Sequence, residues 1–144
     1  MSTLKTHVAL NVSNIEKSVE FYHAMLGVTP VKNKGDYAKF DLTNPPLNLT
    51  LNLSKEIKSG GALSHLGIQV ESSEDVKAAI ERFQAAGLTL EVENNTECCY
   101  ALQDKVWVTD PDGNRWEIFV VKVGDTSPEK NINSPVTAIK TCCA

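Results

Sequence analysis

The sequence predicts an α+β fold in which one unit is written twice, each copy a βαβββ module with a curled mixed sheet, the two sheets lying around one cavity. Three observations carry this expectation. The stretch His7-Val-Ala-Leu-Asn-Val12 is followed by a helical segment and Leu26-Gly27-Val28, and His65-Leu-Gly-Ile-Gln-Val70 is followed by a helical segment and Gly87-Leu88. The spacing agrees as well as the order, because histidine and helix-ending glycine stand at 7 and 27 in one copy and at 65 and 87 in the other. After each helix the chain alternates apolar and polar residues between turn signals, the pattern of half-buried strands.

The elements follow in order. A first strand is expected at 5–12. Ser13 with Glu16 forms a capping box, Ile15, Val19, Tyr22 and Leu26 supply an apolar stripe, and Gly27 ends the first helix. Strands at 28–33, 36–42 and 47–53 complete the first module, with Asn44-Pro45-Pro46 as a turn. The second module opens with a strand at 65–71. Its helix starts where Ser72 precedes Asp75, carries Val76, Ile80 and Phe83 at helical spacing, and closes at Gly87. Strands at 88–95, 98–109 and 115–123 follow, the last two joined through Asp110-Pro-Asp-Gly-Asn114. The expected organisation is a single domain over 1–124, with modules at about 5–54 and 63–123. Residues 125–144, polar and containing Pro128 and Pro135, are expected to form a flexible tail.

Composition narrows the partner. The chain has 144 residues, 42% of them hydrophobic, enough to fill a core without staples. A net charge of -4 argues against nucleic acid and anionic membranes, which are bound mainly through excess Lys and Arg. A small molecule is the expected ligand. There is no signal-like apolar segment and no run of about 18 apolar residues, so a cytoplasmic protein is expected, monomeric or homodimeric. Four cysteines stand as two adjacent pairs, Cys98-Cys99 and Cys142-Cys143, a spacing that suits free thiols better than disulfides.

Strand alternation then sorts the polar side chains. In the first strand Val8, Leu10 and Val12 face the helix and leave His7, Ala9 and Asn11 on the opposite face. In the fifth, Leu66, Ile68 and Val70 face the helix and leave His65, Gly67 and Gln69. Both copies thus present a histidine, a small residue and an amide. The last strand turns Trp116, Ile118 and Val120 to the helix, which puts Glu117 and Phe119 on the cavity face. A buried carboxylate requires a partner, and a divalent cation shared with two imidazoles provides one. His7, His65 and Glu117 would form a facial triad of the kind that binds non-haem iron(II) and leaves positions open for chemistry. His23 lies off the apolar stripe and is expected to be solvated.

These residues, with Asp110-Pro-Asp-Gly-Asn-Arg-Trp-Glu117, resemble the vicinal oxygen chelate superfamily, which includes glyoxalase I, extradiol dioxygenases and bleomycin and fosfomycin resistance proteins. The resemblance covers about residues 5–122. The run Asn95-Thr-Glu-Cys-Cys-Tyr-Ala101, followed by Gln103-Asp-Lys-Val-Trp107, looks like the ArsI-type carbon-arsenic lyase branch. That likeness implies metal ligands at His7, His65 and Glu117 and arsenic-binding thiols at Cys98 and Cys99. It also implies Fe(II) as cofactor, and a trivalent organoarsenical and dioxygen as substrates. Arsenic chemistry agrees with it, because a trivalent arsenical has two exchangeable hydroxyls that neighbouring thiols can replace. Access for such a substrate suggests a mobile loop between Glu97 and Lys105. Cys142 and Cys143 either pass arsenic to the site or are incidental.

Three other readings fit less of the sequence. A fosfomycin-type thiol transferase leaves the cysteines without a role. Glyoxalase I requires an acid on the strand at 47–53, whose cavity face carries Asn48, Thr50 and Asn52 instead. A non-catalytic metal- or drug-binding protein leaves the triad without one.

Overall fold

Both copies build the same sheet. In the computed structural model, which describes residues 2–58, 60–98 and 101–123, the first copy comprises β1 (Thr6–Val12), α1 (Ile15–Leu26), β2 (Lys32–Asn33), β3 (Tyr37–Leu42) and β4 (Leu47–Leu53). The second comprises β5 (Leu66–Gln69), α2 (Ser73–Ala85), β6 (Leu90–Cys98), β7 (Ala101–Thr109) and β8 (Arg115–Val123). The strand orders are β1-β4-β3-β2 and β5-β8-β7-β6, so the strand that carries His7 and the strand that His65 immediately precedes each lie beside the last strand of their own copy. Both of those pairings are parallel, while β2–β3, β3–β4 and β6–β7 are antiparallel. Cys142, Cys143 and the expected tail lie outside the described residues.

The chain forms two compact units, residues 1–60 with 109–114, and residues 61–108 resuming at 115. In the first unit Leu49 and Leu51 of β4 are fully buried beside their register partners Val8 and Leu10 of β1 and Phe40 and Ala38 of β3. This apolar face meets Ile15, Phe21, Tyr22 and Met25 of α1. Each such side chain removed from water contributes about 1.5–3 kcal/mol. The turn between β7 and β8 is secured within this unit, where the Tyr22 hydroxyl donates to Asp110 Oδ2 at 2.6 Å.

Four local expectations are corrected. The first is the α1 cap, which is Asn14, whose side chain accepts from Lys17 N at 2.9 Å. Ser13 serves the β7–β8 turn instead, its backbone N–H and hydroxyl both donating to the Asp112 carboxylate. Second, starting α1 one residue later moves the buried stripe to Ile15, Ser18, Phe21, Tyr22 and Met25, with Val19 and Leu26 only half-buried. Third, β2 holds two residues rather than six. Pro30 has no N–H to offer a ladder, and the Val28 carbonyl accepts from exposed His23 Nδ1 at 2.9 Å. Gly27, at φ 72°, closes α1 in the left-handed conformation that glycine adopts freely.

In the second unit α2 has the full capping box of Ser72 and Asp75. Val76, Ala79 and Phe83 pack it against the sheet face of Val106, Val108, Trp116, Ile118 and Val120, while Ile80 is half-buried. The fourth correction concerns β6 and β7. Strand β6 runs on to Cys98 and β7 begins at Ala101, with Cys98 paired to Ala101. Residues 101–105 are therefore paired strand, not loop. Cys99 lies outside the described residues.

Candidate metal centre

The site begins with Gly67. Parallel pairing sets Gly67 of β5 opposite Glu117 of β8, and a Cβ at position 67 would lie 2.8 Å from Glu117 Cγ. Any larger residue would push the carboxylate aside, so the glycine makes room for Glu117 itself. Glu117 is 6% exposed. Its Oε1 lies 3.6 Å from His65 Nε2. An imidazole nitrogen and a carboxylate oxygen at that spacing are close enough to share one divalent cation.

The imidazole is held from two sides. Ser64 Oγ lies 2.9 Å from His65 Nδ1, and the Trp107 ring meets the imidazole edge to face at 5.1 Å between centroids. Trp107 is itself fixed, with the Arg115 guanidinium 4.3 Å from its ring centre and Arg115 paired to Glu91 at 3.2 Å. A second contact to the nitrogen away from the metal is the usual way a protein aims a histidine ligand.

His7 belongs to the first unit. It is exposed, and its Nδ1 lies 3.1 Å from the Asn48 carbonyl oxygen. A carbonyl only accepts, so Nδ1 carries a proton, which leaves Nε2 as the nitrogen through which this ring would bind a metal. The register pairs His7 with Asn48, Ala9 with Thr50 and Asn11 with Asn52. Thr50 thus holds in the first unit the place that Glu117 holds in the second, and there is no acid there. In the same row Asn48 Oδ1 is buried without a hydrogen-bond partner among the described residues.

Of the three expected ligands, the structure brings His65 and Glu117 together. Among the described residues no three His, Cys, Asp or Glu side chains gather closely enough to hold a metal ion. The chemistry of His65 and Glu117, an imidazole with its Nδ1 engaged beside a buried carboxylate, suits a divalent cation.

Sequence reasoning missed Lys105. Its side chain is fully buried and its Nζ donates to Glu117 Oε2 at 3.0 Å, with Trp107 and Phe119 ring centres 5.4 and 6.0 Å away. The signal was present in β7, where Gln103, Lys105 and Trp107 alternate with Asp104, Val106 and Val108. Val106 and Val108 lie on the helix side, so the same parity used for the histidine strands places Lys105 on the face of Glu117.

A β-bulge brings the cysteine strand into phase. In β6, Glu91 and Glu93 pair with Trp107 and Lys105, but Thr96, not Asn95, pairs with Gln103. The extra residue is absorbed at Asn94 and Asn95, with Asn95 at φ 52°, and the Asn95 N–H donates to Asp104 Oδ1 at 2.7 Å. Burial pushes the Asp104 carboxyl up, but hydrogen bonds from Asn95, Ser73 and Lys122, with the Lys122 charge, hold it below its ordinary value. The shift gives register positions 96 and 98 the parity of 103 and 105.

The fold and this histidine-carboxylate pair define a class. The chain belongs to the Glyoxalase/Bleomycin resistance protein/Dioxygenase superfamily, whose sequence pattern matches residues 6–118. It is 51% identical over 138 residues to the trivalent organoarsenical cleaving enzyme of Bacillus sp. (strain MD1), covering 95% of this chain and 81% of that protein. It is 45% identical over 117 residues to the cadmium-induced protein CadI of Mycobacterium tuberculosis (strain CDC 1551 / Oshkosh), covering 81% and 76%. Among solved structures, a glyoxalase/bleomycin resistance protein/dioxygenase from Nocardioides superposes with a TM-score of 0.66 at 22% identity, covering 88% of this chain and 89% of that one. No helix among the described residues is long and apolar enough to cross a membrane.

Proposed function

We propose that this protein cleaves the carbon-arsenic bond of trivalent organoarsenicals, methylarsenite and aromatic arsenicals among them, to inorganic arsenite in an Fe(II)- and O2-dependent reaction that detoxifies arsenic. One observation carries the reading: the sheet that holds Glu117, 3.6 Å from His65, also holds β6, which ends by pairing Cys98 with Ala101. The 51% identity to a trivalent organoarsenical cleaving enzyme supports it.

In this reading His65, Glu117 and His7 of the first unit hold the metal, and Cys98 and Cys99 hold the substrate. The two thiols displace both arsenic hydroxyls as water, so the bond to carbon remains as the one to be broken. Iron(II), when bound, supplies the capacity to activate dioxygen. Trp107 and Ser64 keep the His65 ring aimed, Gly67 leaves Glu117 its place, and the cysteines supply position rather than redox chemistry. A cytoplasmic setting would keep both thiols reduced.

The test is anaerobic reconstitution with iron(II), admission of air, and arsenic speciation of the products. Inorganic arsenite should appear only with oxygen and should be lost in Cys98→Ser and in Cys99→Ser. Full turnover in both variants would end the arsenic assignment, and full turnover under strict anaerobiosis would end the oxygen requirement. A second reading is soft-metal binding without turnover, which adjacent thiols would also serve. Stoichiometric arsenical or cadmium binding with no arsenite formed would establish it.

A further inference from the structure

We infer that Lys105 is a built-in counter-cation of Glu117, which stabilises the unloaded carboxylate, confines it to one free oxygen, and lowers the affinity of the centre for its divalent metal. The inference rests on the metal reading of Glu117 and is independent of the arsenic reading.

The two oxygens of Glu117 have separate environments. Oε1 faces the His65 imidazole at 3.6 Å, and Oε2 accepts from Lys105 Nζ at 3.0 Å. Lys105 is fully buried and Glu117 nearly so, which makes their charges strongly interdependent in a setting poor in water. The lysine stem is packed between strands, and its ammonium stands within 5.4 and 6.0 Å of the Trp107 and Phe119 ring centres, where the aromatic faces favour a cation. Glu93, half-buried, is its register partner on β6, so a second carboxylate stands at the outer end of the same row.

Two consequences follow for a dication placed between His65 Nε2 and Glu117 Oε1. With Oε2 held by the ammonium, Glu117 would offer a metal Oε1 alone, which would leave more positions for other ligands. The dication must also bind beside a buried positive charge, and that repulsion weakens it relative to a site with a neutral residue at 105. Removing the lysine charge acts on both states in the same direction, since the unloaded protein would then bury an unpaired carboxylate that metal binding relieves.

The experiment compares wild-type protein, Lys105→Met, Glu117→Gln and the Lys105→Met/Glu117→Gln double variant, each stripped of metal and titrated with manganese(II) and with cobalt(II). Lys105→Met should bind both metals about tenfold more tightly or better. Its metal-free Tm should fall and be recovered on loading. Its cobalt(II) absorption should change in intensity as Glu117 gains freedom to coordinate through both oxygens. The double variant, with neither charge, should regain metal-free stability relative to Lys105→Met. Unchanged or weaker metal binding by a folded Lys105→Met protein overturns the inference. If Lys105→Met does not fold without metal, folding of the double variant upholds the charge argument, and failure of both overturns it in favour of simple packing. Metal binding that Glu117→Gln leaves intact would instead remove the metal reading itself, and the inference with it.

Discussion

The two copies of the module differ at one central register position. In the first unit β1 and β4 pair Ala9 with Thr50, and in the second β5 and β8 pair Gly67 with Glu117. Both central positions are buried, Thr50 and Glu117 being equally exposed at 6%. The longer acid lies across its partner strand and forces a glycine there, whereas the threonine stands opposite an alanine. One copy therefore presents a histidine beside a hydroxyl, and the other a histidine beside a carboxylate with its own lysine. A repeated fold has been made asymmetric by paired changes on neighbouring strands, with a hydroxyl on β4 where β8 carries a carboxylate.

Breaking the acidic copy should have the largest effect. Glu117→Gln should weaken metal binding by more than about 100-fold, since loss of a mere supporting partner costs about 10–100-fold. Isothermal titration with manganese(II) measures it, and retained affinity would show that the two copies do not differ in the way described. Gly67→Ala comes next. Its Cβ meets Glu117 Cγ, so overpacking should cost about 1–3 kcal/mol in urea unfolding and reduce metal affinity as the carboxylate shifts. The reciprocal change sharpens the comparison: Thr50→Glu should be more destabilising alone than with Ala9→Gly, by about 1 kcal/mol or more. Equal stabilities would mean that the glycine is not what accommodates an acid at this position.

The parity of the histidine strands was legible because β1 and β5 alternate without interruption, and Glu117 followed from the same rule applied to β8. The two-copy order was legible for a similar reason, since glycine stops and capping residues are local. What escaped depends on partners distant in sequence. Ser13 reads as a cap until Asp112, in a turn of the other copy's strands, claims it. The end of β6 could not be fixed from propensity, because the strand expected to stop at Asn95 bulges there and runs on to Cys98. Lys105 was passed over because lysine is expected in water, and only the buried acid beside it explains its place.

The copies also differ at their outer edges and caps. Asn14→Ala should cost about 1 kcal/mol through loss of the α1 cap, and Ser72→Ala should cost at least as much, because it removes both the bond Ser72 Oγ accepts from Asp75 N and the one its hydroxyl donates to Asp75 Oδ2. Ser13→Ala should leave helix content unchanged while loosening the 110–114 turn, seen as faster amide exchange there. If it lowers helicity as Asn14→Ala does, the assignment of the cap is wrong.

The smallest effect concerns Asp104, which anchors the bulge of the nine-residue edge strand β6, a feature the two-residue edge β2 lacks. Its carboxyl is held below the ordinary value, so the folded protein prefers it ionised more strongly than the unfolded chain does. Its contribution is therefore present above the unfolded carboxyl value of about 3.9 and is lost as pH falls through the lower folded value. Asp104→Asn keeps an oxygen for the Asn95 N–H but gives up the charge facing Lys122 at 3.4 Å. The gap in urea midpoint between wild type and Asp104→Asn should be constant from pH 7 to 5 and narrow below about pH 4. A gap that persists unchanged to pH 2 would mean that the Asp104 charge is not what holds the bulge, and that the phase of β6 is set by the asparagines alone.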